Sequence, residues 1–262
     1  MHPIIFKTDF FILHTYWIFF ALAAISGTYS LIHFSIKNGM KLQFLSSNSA
    51  QLLLFALIGA RLGALLVNYH IYFTEISFGA LARLFYIWDG GLDFWGAITA
   101  FLIILYHLCK KHDQDFWKWL DSIIPSMILG LGFAHIGAFF EGINYGRETS
   151  LPWGVNFESP IIKYAVPIHP TQIYATLFSF GLAYFLIFMA DTKIVQKLKT
   201  GGFIGILGIT IYNFLRFLEE FVRGDDTITV FDIRTPQIIA FIITTAGIAL
   251  LQRRFQLLWI KK

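Results

Sequence analysis

Charge is scarce in this chain. Only 14% of its 262 residues are Asp, Glu, Lys or Arg, against about a quarter in an ordinary soluble domain. Cysteine is scarcer still: Cys109 stands alone, which excludes an internal disulfide framework. It sits in the basic stretch Leu108-Cys109-Lys110-Lys111, where a reduced, inert thiol is the simplest reading. No CxxC pair and no His/Cys ligand spacing occurs, so nothing calls for a metal or another cofactor. Nothing points to a nucleic-acid partner either. There is no repeat of 20–50 residues, no low-complexity tract and no linker, so residues 1–262 read as a single transmembrane domain. Lys7 is the one basic residue before the first apolar run, and that run exceeds a signal-peptide core. The first helix is therefore expected to stay in the mature protein.

What is present is apolar surface. Hydrophobic residues make up 56% of the chain, 29 of them Phe, and the mean hydropathy is +0.65. A membrane span takes about 20 mostly apolar residues. Such runs fall at approximately 10–32, 50–68, 92–109, 121–141, 169–190, 202–221 and 236–256. Backbone that faces lipid must satisfy its own hydrogen bonds, so each run is expected to be helical. The fold class is an all-α integral membrane protein with seven transmembrane helices.

Basic residues set the orientation. Twelve Lys and Arg residues fall in one set of connections, among them Lys110, Lys111, Lys193, Arg253 and Arg254. Six fall in the opposite set: Lys7, Arg83, Arg147, Lys163, Arg223 and Arg234. The N-terminus is expected outside and the C-terminus in the cytosol. The outer connections are the longer ones. Residues 69–91 read as a loop carrying a short interfacial helix, with Ile76, Phe78, Leu81, Leu84 and Phe85 on one face. Residues 142–168, with Pro152, Trp153, Pro160 and Pro167, read as an ordered, irregular loop. Glycines such as Gly59, Gly63, Gly205 and Gly208 suit close helix packing rather than phosphate binding.

Some polar residues stand where lipid makes them costly. Tyr212, Arg216, Glu220 and Arg223 are spaced by four, four and three, which puts them on one helical face. An arginine at the bilayer centre costs about 2.5–3.5 kcal/mol on insertion scales, so this face should look into the protein or a wet cavity. Either it is a structural Arg–Glu–Arg ladder, or a lipid phosphate completes its charge, because one carboxylate cannot neutralise two arginines and guanidinium binds phosphate in bidentate fashion. Arg61 is a second basic residue within a span, suited to a structural carboxylate pair or to substrate. His135 lies on an apolar helix, with Glu141 six residues on, and Arg147 follows Tyr145-Gly146 just beyond it. His169-Pro170-Thr171-Gln172 opens the fifth span. Pro170 suits a first helical turn, with His169 or Thr171 available as cap, and Gln172 would project inward.

Together these segments resemble the bacterial prolipoprotein diacylglyceryl transferases. The motifs run in the family's order: His14-Thr15-Tyr16, then Arg61-Leu62-Gly63, then Gly90-Gly91-Leu92-Asp93-Phe94-Trp95-Gly96. Asn144-Tyr145-Gly146-Arg147 with Pro152-Trp153 follows, then His169-Pro170-Thr171-Gln172-Ile173-Tyr174. Tyr212 to Asp225 and Gln237 close the set. The resemblance implies transfer of diacylglyceryl from phosphatidylglycerol to the lipobox cysteine thiol of a preprolipoprotein, with release of glycerol phosphate. It implies a multi-pass protein of the bacterial cytoplasmic (inner) membrane, with its active site toward the outer face. Its partners would be phosphatidylglycerol, a preprolipoprotein signal peptide and the bilayer. The family's tyrosine matches Tyr16, its sixth-span arginine and glutamate match Arg216 and Glu220, its next arginine matches Arg223, and its loop glycine matches Gly146.

The chain also departs from the family. Trp95 stands where many members have histidine. The fourth-span signature has His135 for arginine, Ala138 for asparagine and Ile143 for glutamate, and Ala175 replaces the glutamate after the His-Pro-Thr-Gln segment. Glu141 is a candidate for a displaced carboxylate.

Displacement at an sp³ glycerol carbon needs a thiolate and stabilisation of the departing phosphate. Arg216 and Arg223, with Arg147 as a further candidate, are expected to hold the phosphate by charge and position, with Glu220 orienting the arginines. His135 and His169 are candidates for proton transfer. Tyr16, Arg61, Gly146, Gln172, Tyr212 and Gln237 are candidates for lipid or substrate binding. The competing readings are a relative that only binds anionic lipid or lipoprotein signal peptides, and a small transporter. The latter would show repeated halves and helices broken near mid-membrane, and the sequence shows no such symmetry.

Overall fold

Long apolar stretches leave the backbone one economical solution, and the computed structural model takes it. It describes residues 3–8, 10, 12–67, 91–157, 162–196, 198 and 200–259. The helices are α1 (Thr15–Lys37), α2 (Leu42–Val67), α3 (Phe94–Lys111), α4 (Phe116–Glu141), α5 (Thr171–Ala190), the single turn α6 (Lys193–Gln196), α7 (Phe203–Glu219) and α8 (Thr235–Trp259). Among the described residues, six helices are long and apolar enough to cross a membrane: α1 to α5 and α8. The protein is thus a mostly helical, multi-pass membrane protein. α7 has 17 residues, roughly 26 Å at 1.5 Å per residue.

Several boundaries differ from the hydropathy reading, among them both ends of α1, which runs Thr15–Lys37 rather than 10–32. α2 starts at Leu42 and α4 at Phe116: the added turns of α2 carry Ser46, Ser47, Asn48 and Ser49, and that of α4 carries Lys118 among aromatic residues, polar groups that interrupt the apolar stretch hydropathy detects. α7 stops at Glu219, so Arg223 is not on the helix that carries Arg216. The interfacial helix expected within 69–91 falls outside the described residues. Two short antiparallel hairpins amend the all-helical expectation. β1 (Ile4–Lys7) pairs with β2 (Ile12–His14), and β3 (Thr229–Val230) pairs with β4 (Ile233–Arg234). Phe231 and Asp232 turn the second hairpin with φ of 50° and 62°, the two-residue geometry that matches strand twist.

The chain divides into two compact units, residues 39–116 and residues 1–38 with 117–262. In the first unit α2 packs on α3 through glycine. A Cβ on Gly59 would collide with Gly96 O and Ala100 Cβ, and one on Gly63 would meet Asp93 Oδ2 at 2.8 Å. Small residues let the backbones approach, as the sequence leads one to expect. Asp93 caps α3 by accepting from Gly96 N at 2.6 Å, and its own N–H donates to Ala60 O at 2.9 Å.

The second unit is held by similar contacts. On α4, Gly130 faces Ala23 of α1, and Ser126 Oγ donates to Ser30 Oγ at 3.0 Å. Gly205 and Gly208 of α7 leave room for Leu120 and Ile124 of α4. Asp121 of α4 satisfies the start of α7, accepting from Gly202 N at 2.5 Å and Gly205 N at 2.8 Å. Those N–H groups would otherwise be orphaned, and the carboxylate also suits the helix dipole.

Candidate functional site

The site begins where α4 ends. Gly142, at φ 78°, stops the helix in a left-handed conformation, and the Gly142 and Ile143 N–H groups both donate to Ala138 O, a Schellman-type ending. Asn144 is left-handed too. The chain then runs through Tyr145–Arg147 between two other segments. Gly146 N donates to His169 O, His169 N to Arg147 O, Arg147 N to Val222 O and Gly224 N to Tyr145 O, all at 2.8–3.1 Å. Gly146 and Arg223 form an antiparallel bridge. A Cβ on Gly146 would meet His169 Cβ at 2.5 Å and Val222 O at 3.0 Å, so glycine is required by the closeness of three backbones. Below this weave Tyr145, Ile168 and Phe157 form a buried apolar cluster. The described residues of the loop, 142–157 and 162–168, follow the irregular course expected of them.

The weave brings together a hub of arginines and carboxylates. Arg216 lies 2.8 Å from Glu219 Oε1 and 2.6 Å from Glu220 Oε1. Both are close charge-paired contacts along one helical end. Arg223 Nε donates to Asp225 Oδ1 at 2.8 Å, and its Nη2 donates to Asn144 Oδ1 at 2.9 Å and pairs with Asp225 Oδ2. Arg234 Nε reaches Glu220 Oε2 at 2.5 Å, and its Nη groups reach Asp225 O and Oδ1. Glu220 is 1% exposed and Arg223 4%.

Three guanidinium groups therefore face three carboxylates. The expectation of one carboxylate serving two arginines is corrected, and so is the single helical face. Glu219 was not singled out from the sequence, although its i, i+3 spacing from Arg216 is a signal that could have found it. Asp225 and Arg234 carry no such signal, because a turn and a hairpin bring them in. Burial raises the Asp225 pKa, but the hydrogen bond and charge of Arg223 and the charge of Arg234 outweigh it, holding the carboxyl below its ordinary value. Such a network fixes geometry strongly, because losing one partner strands a buried charge.

Other predicted residues surround the hub. Gln172 is fully buried and donates to Ile143 O at 2.7 Å, and Thr171 Oγ1 donates to Asn144 O at 2.6 Å. Thr171 thus ties α5 to the loop, and neither it nor His169 caps the helix, whose N-cap is Pro170 with no side-chain cap bond. His169 Nδ1 lies 3.2 Å from Tyr174 OH, which accepts from Trp153 Nε1 at 2.8 Å. His135 Nε2 is buried without a hydrogen bond, and its ring is 6.5 Å from Phe178, itself 5.6 Å from Tyr212. His135 and Tyr212 both lie within electrostatic reach of Arg216 and Arg223. Arg147 is exposed, with Nε donating to Arg223 O at 3.0 Å. Gln237 is buried in the first turn of α8.

Tyr16 sits elsewhere in this unit, lining a cleft of about 440 Å³ with His14, Trp17, Glu141 and Ile143. Glu141 faces His14 there, with Oε2 3.6 Å from Nδ1. In the other unit Arg61 is buried and donates to Gly91 O at 3.0 Å.

A polytopic helical protein with a buried arginine–carboxylate hub beside an irregular, woven loop is a membrane protein built to hold charge at the end of its helices. The sequence model of prolipoprotein diacylglyceryl transferase matches residues 3–253, and the chain belongs to that family. A phosphatidylglycerol–prolipoprotein diacylglyceryl transferase of Clostridium tetani is 38% identical over 159 residues, which cover 60% of this chain and 62% of that protein. The enzymes of the same name from Finegoldia magna and Campylobacter lari are each 29% identical. The first match covers 74% of this chain and 72% of the relative, the second 81% and 78%.

Proposed function

We propose that the protein transfers sn-1,2-diacylglyceryl from phosphatidylglycerol to the lipobox cysteine thiol of a preprolipoprotein, releasing glycerol phosphate. The reading takes residues 1–262 as one transmembrane domain of seven spans in the bacterial inner membrane, α7 included, with the N-terminus and the hub on the outer side. The excess of basic residues in the opposite connections supports that orientation.

The observation that carries the proposal is Arg216. It is held by Glu219 and Glu220, yet its side chain keeps 18% of its surface exposed, against 5% for Arg223 and 11% for Arg234. Arg216 is thus the hub arginine placed to meet a lipid phosphate, with exposed Arg147 as second contact. Arg223, Arg234 and the three carboxylates hold Arg216 in place. Charge fixed in advance stabilises the phosphate oxygen as the C–O bond breaks. His135, with its unbonded ring nitrogen, and His169 remain candidates for proton transfer. Tyr16, Gln172, Tyr212, Gln237, Gly146 and Arg61 are assigned to binding or positioning lipid.

The test is expression in cells depleted of their own transferase, following a model prolipoprotein by mass. A diacylglyceryl increment is expected, and Arg216→Ala should abolish it. No increment from a well-inserted protein rejects the transferase reading. Charge balance within the hub, together with Ala138, Ile143 and Ala175 at positions that are polar in the family, favours one second reading: a non-catalytic relative that binds anionic lipid or lipoprotein signal peptides. Phosphatidylglycerol turnover by the purified protein separates the two.

A further inference from the structure

The transferase reading leaves a gap: the thiol needs a base, and Trp95 cannot be one. We propose that His14 takes the proton from the substrate cysteine, with Glu141 as its positioning residue. This assignment rests on the transferase reading.

The geometry is that of a carboxylate–imidazole pair at the wall of a cleft. Glu141 Oε2 is buried and has no hydrogen-bond partner, while His14 Nδ1 lies 3.6 Å away. Both residues stay reachable, their side chains 36% and 27% exposed for His14 and Glu141. Apo pairs of this kind are often long and tighten when substrate arrives. Closure would let the Nδ1–H donate to the Glu141 carboxylate and leave Nε2 as acceptor, the logic by which an acid orients a catalytic histidine.

The cleft, at about 440 Å³, falls in the range that holds small ligands or a peptide side chain. The titratable groups lining it are His14, Tyr16 and Glu141. Its edge also leads to the hub. Ile143 lines the cleft and accepts from Gln172, and the next residue, Asn144, accepts from Arg223 Nη2. One turn of chain beyond the end of α4 therefore borders both the proposed base and Arg223, one of the residues that hold Arg216 in place.

The step balances simply. The thiol proton moves to the His14 imidazole, and the thiolate forms a C–S bond at the glyceryl carbon. The C–O bond to phosphate breaks with its electron pair going to oxygen, so glycerol phosphate leaves, and the imidazolium then releases its proton to water.

The test follows transfer from phosphatidylglycerol to a lipobox peptide by the full chain in detergent, as a function of pH. With wild type active, His14→Gln should lower the rate at neutral pH by ~10²–10⁴-fold. The deficit should shrink at least tenfold above the thiol's own pKa of about 8.5, and phosphatidylglycerol affinity should be unchanged. Glu141→Gln should lower the rate less, with the same recovery at high pH, and it serves if His14→Gln fails to fold. Variants with wild-type rates, or with a deficit equal at every pH, overturn the proposal alone. Wild type without transfer overturns both this proposal and the reading it rests on.

Discussion

Arg234 and Glu220, fourteen residues apart, meet at 2.5 Å between Nε and Oε2, with the glutamate fully buried. This contact fastens the start of α8 to the end of α7. Arg234→Ala leaves Glu220 Oε2 without its partner, though Arg216 still pairs with Oε1, and frees one side of Asp225; breaking one contact of a buried network costs up to about 3–5 kcal/mol. The expected outcome is a clear fall in thermal unfolding temperature in detergent, with Arg234→Lys intermediate because lysine cannot span both carboxylates.

Asp225 makes the same hub sensitive to acid. Its folded pKa is lowered below the unfolded value, which is about 3.9. A depressed carboxyl contributes stability that is present above the unfolded pKa and is lost as pH falls through the folded one. Stability should therefore drop below about pH 4. Asp225→Asn should be less stable than wild type at neutral pH and should show a flatter acid limb. An acid limb identical to that of wild type rejects the assignment.

The spans were legible because the bilayer demands long apolar runs, and six of the helices have them. The site was legible only in part. Arg216 and Glu220 stand out as charges inside an apolar stretch, and helical spacing could have found Glu219. Asp225 and Arg234 look like surface charges in sequence, because their role depends on a turn after Glu219 and on the β3–β4 hairpin. His14 and Glu141 meet only when the β1–β2 hairpin comes against the end of α4, a pairing that no local periodicity encodes.

Gly146 tests the weave. Alanine there would put a methyl group against His169 and Val222 backbone and side-chain atoms, and the glycine opposite, Gly224, already lies against Gly146 O and C. Neither segment can retreat without breaking its bonds to Arg147 and Tyr145. Overpacking of this kind costs about 1–3 kcal/mol. Gly146→Ala should lower the unfolding temperature and also weaken transfer, since Arg223 is bridged to Gly146. Full activity at lowered stability would separate the weave from the site.

Arg147 lies on the opposite side of that balance. Its Nε is tied to Arg223 O, but the residue is exposed, so Arg147→Ala should change stability by no more than about 0.5 kcal/mol. If its guanidinium meets lipid phosphate beside Arg216, the variant should bind phosphatidylglycerol in nanodiscs roughly 5–10-fold more weakly, about 1–1.4 kcal/mol, somewhat less than the ~1.5–3 kcal/mol of a charge-assisted bond because the residue is exposed. Arg147→Lys should recover part of that loss, because it keeps the charge but not the bidentate geometry. Raised salt should weaken wild type more than the alanine variant, since an exposed charge is screened. Equal affinity in wild type and Arg147→Ala would leave Arg216 to hold the phosphate by itself. The exposed arginine would then serve only to pin the loop through Arg223.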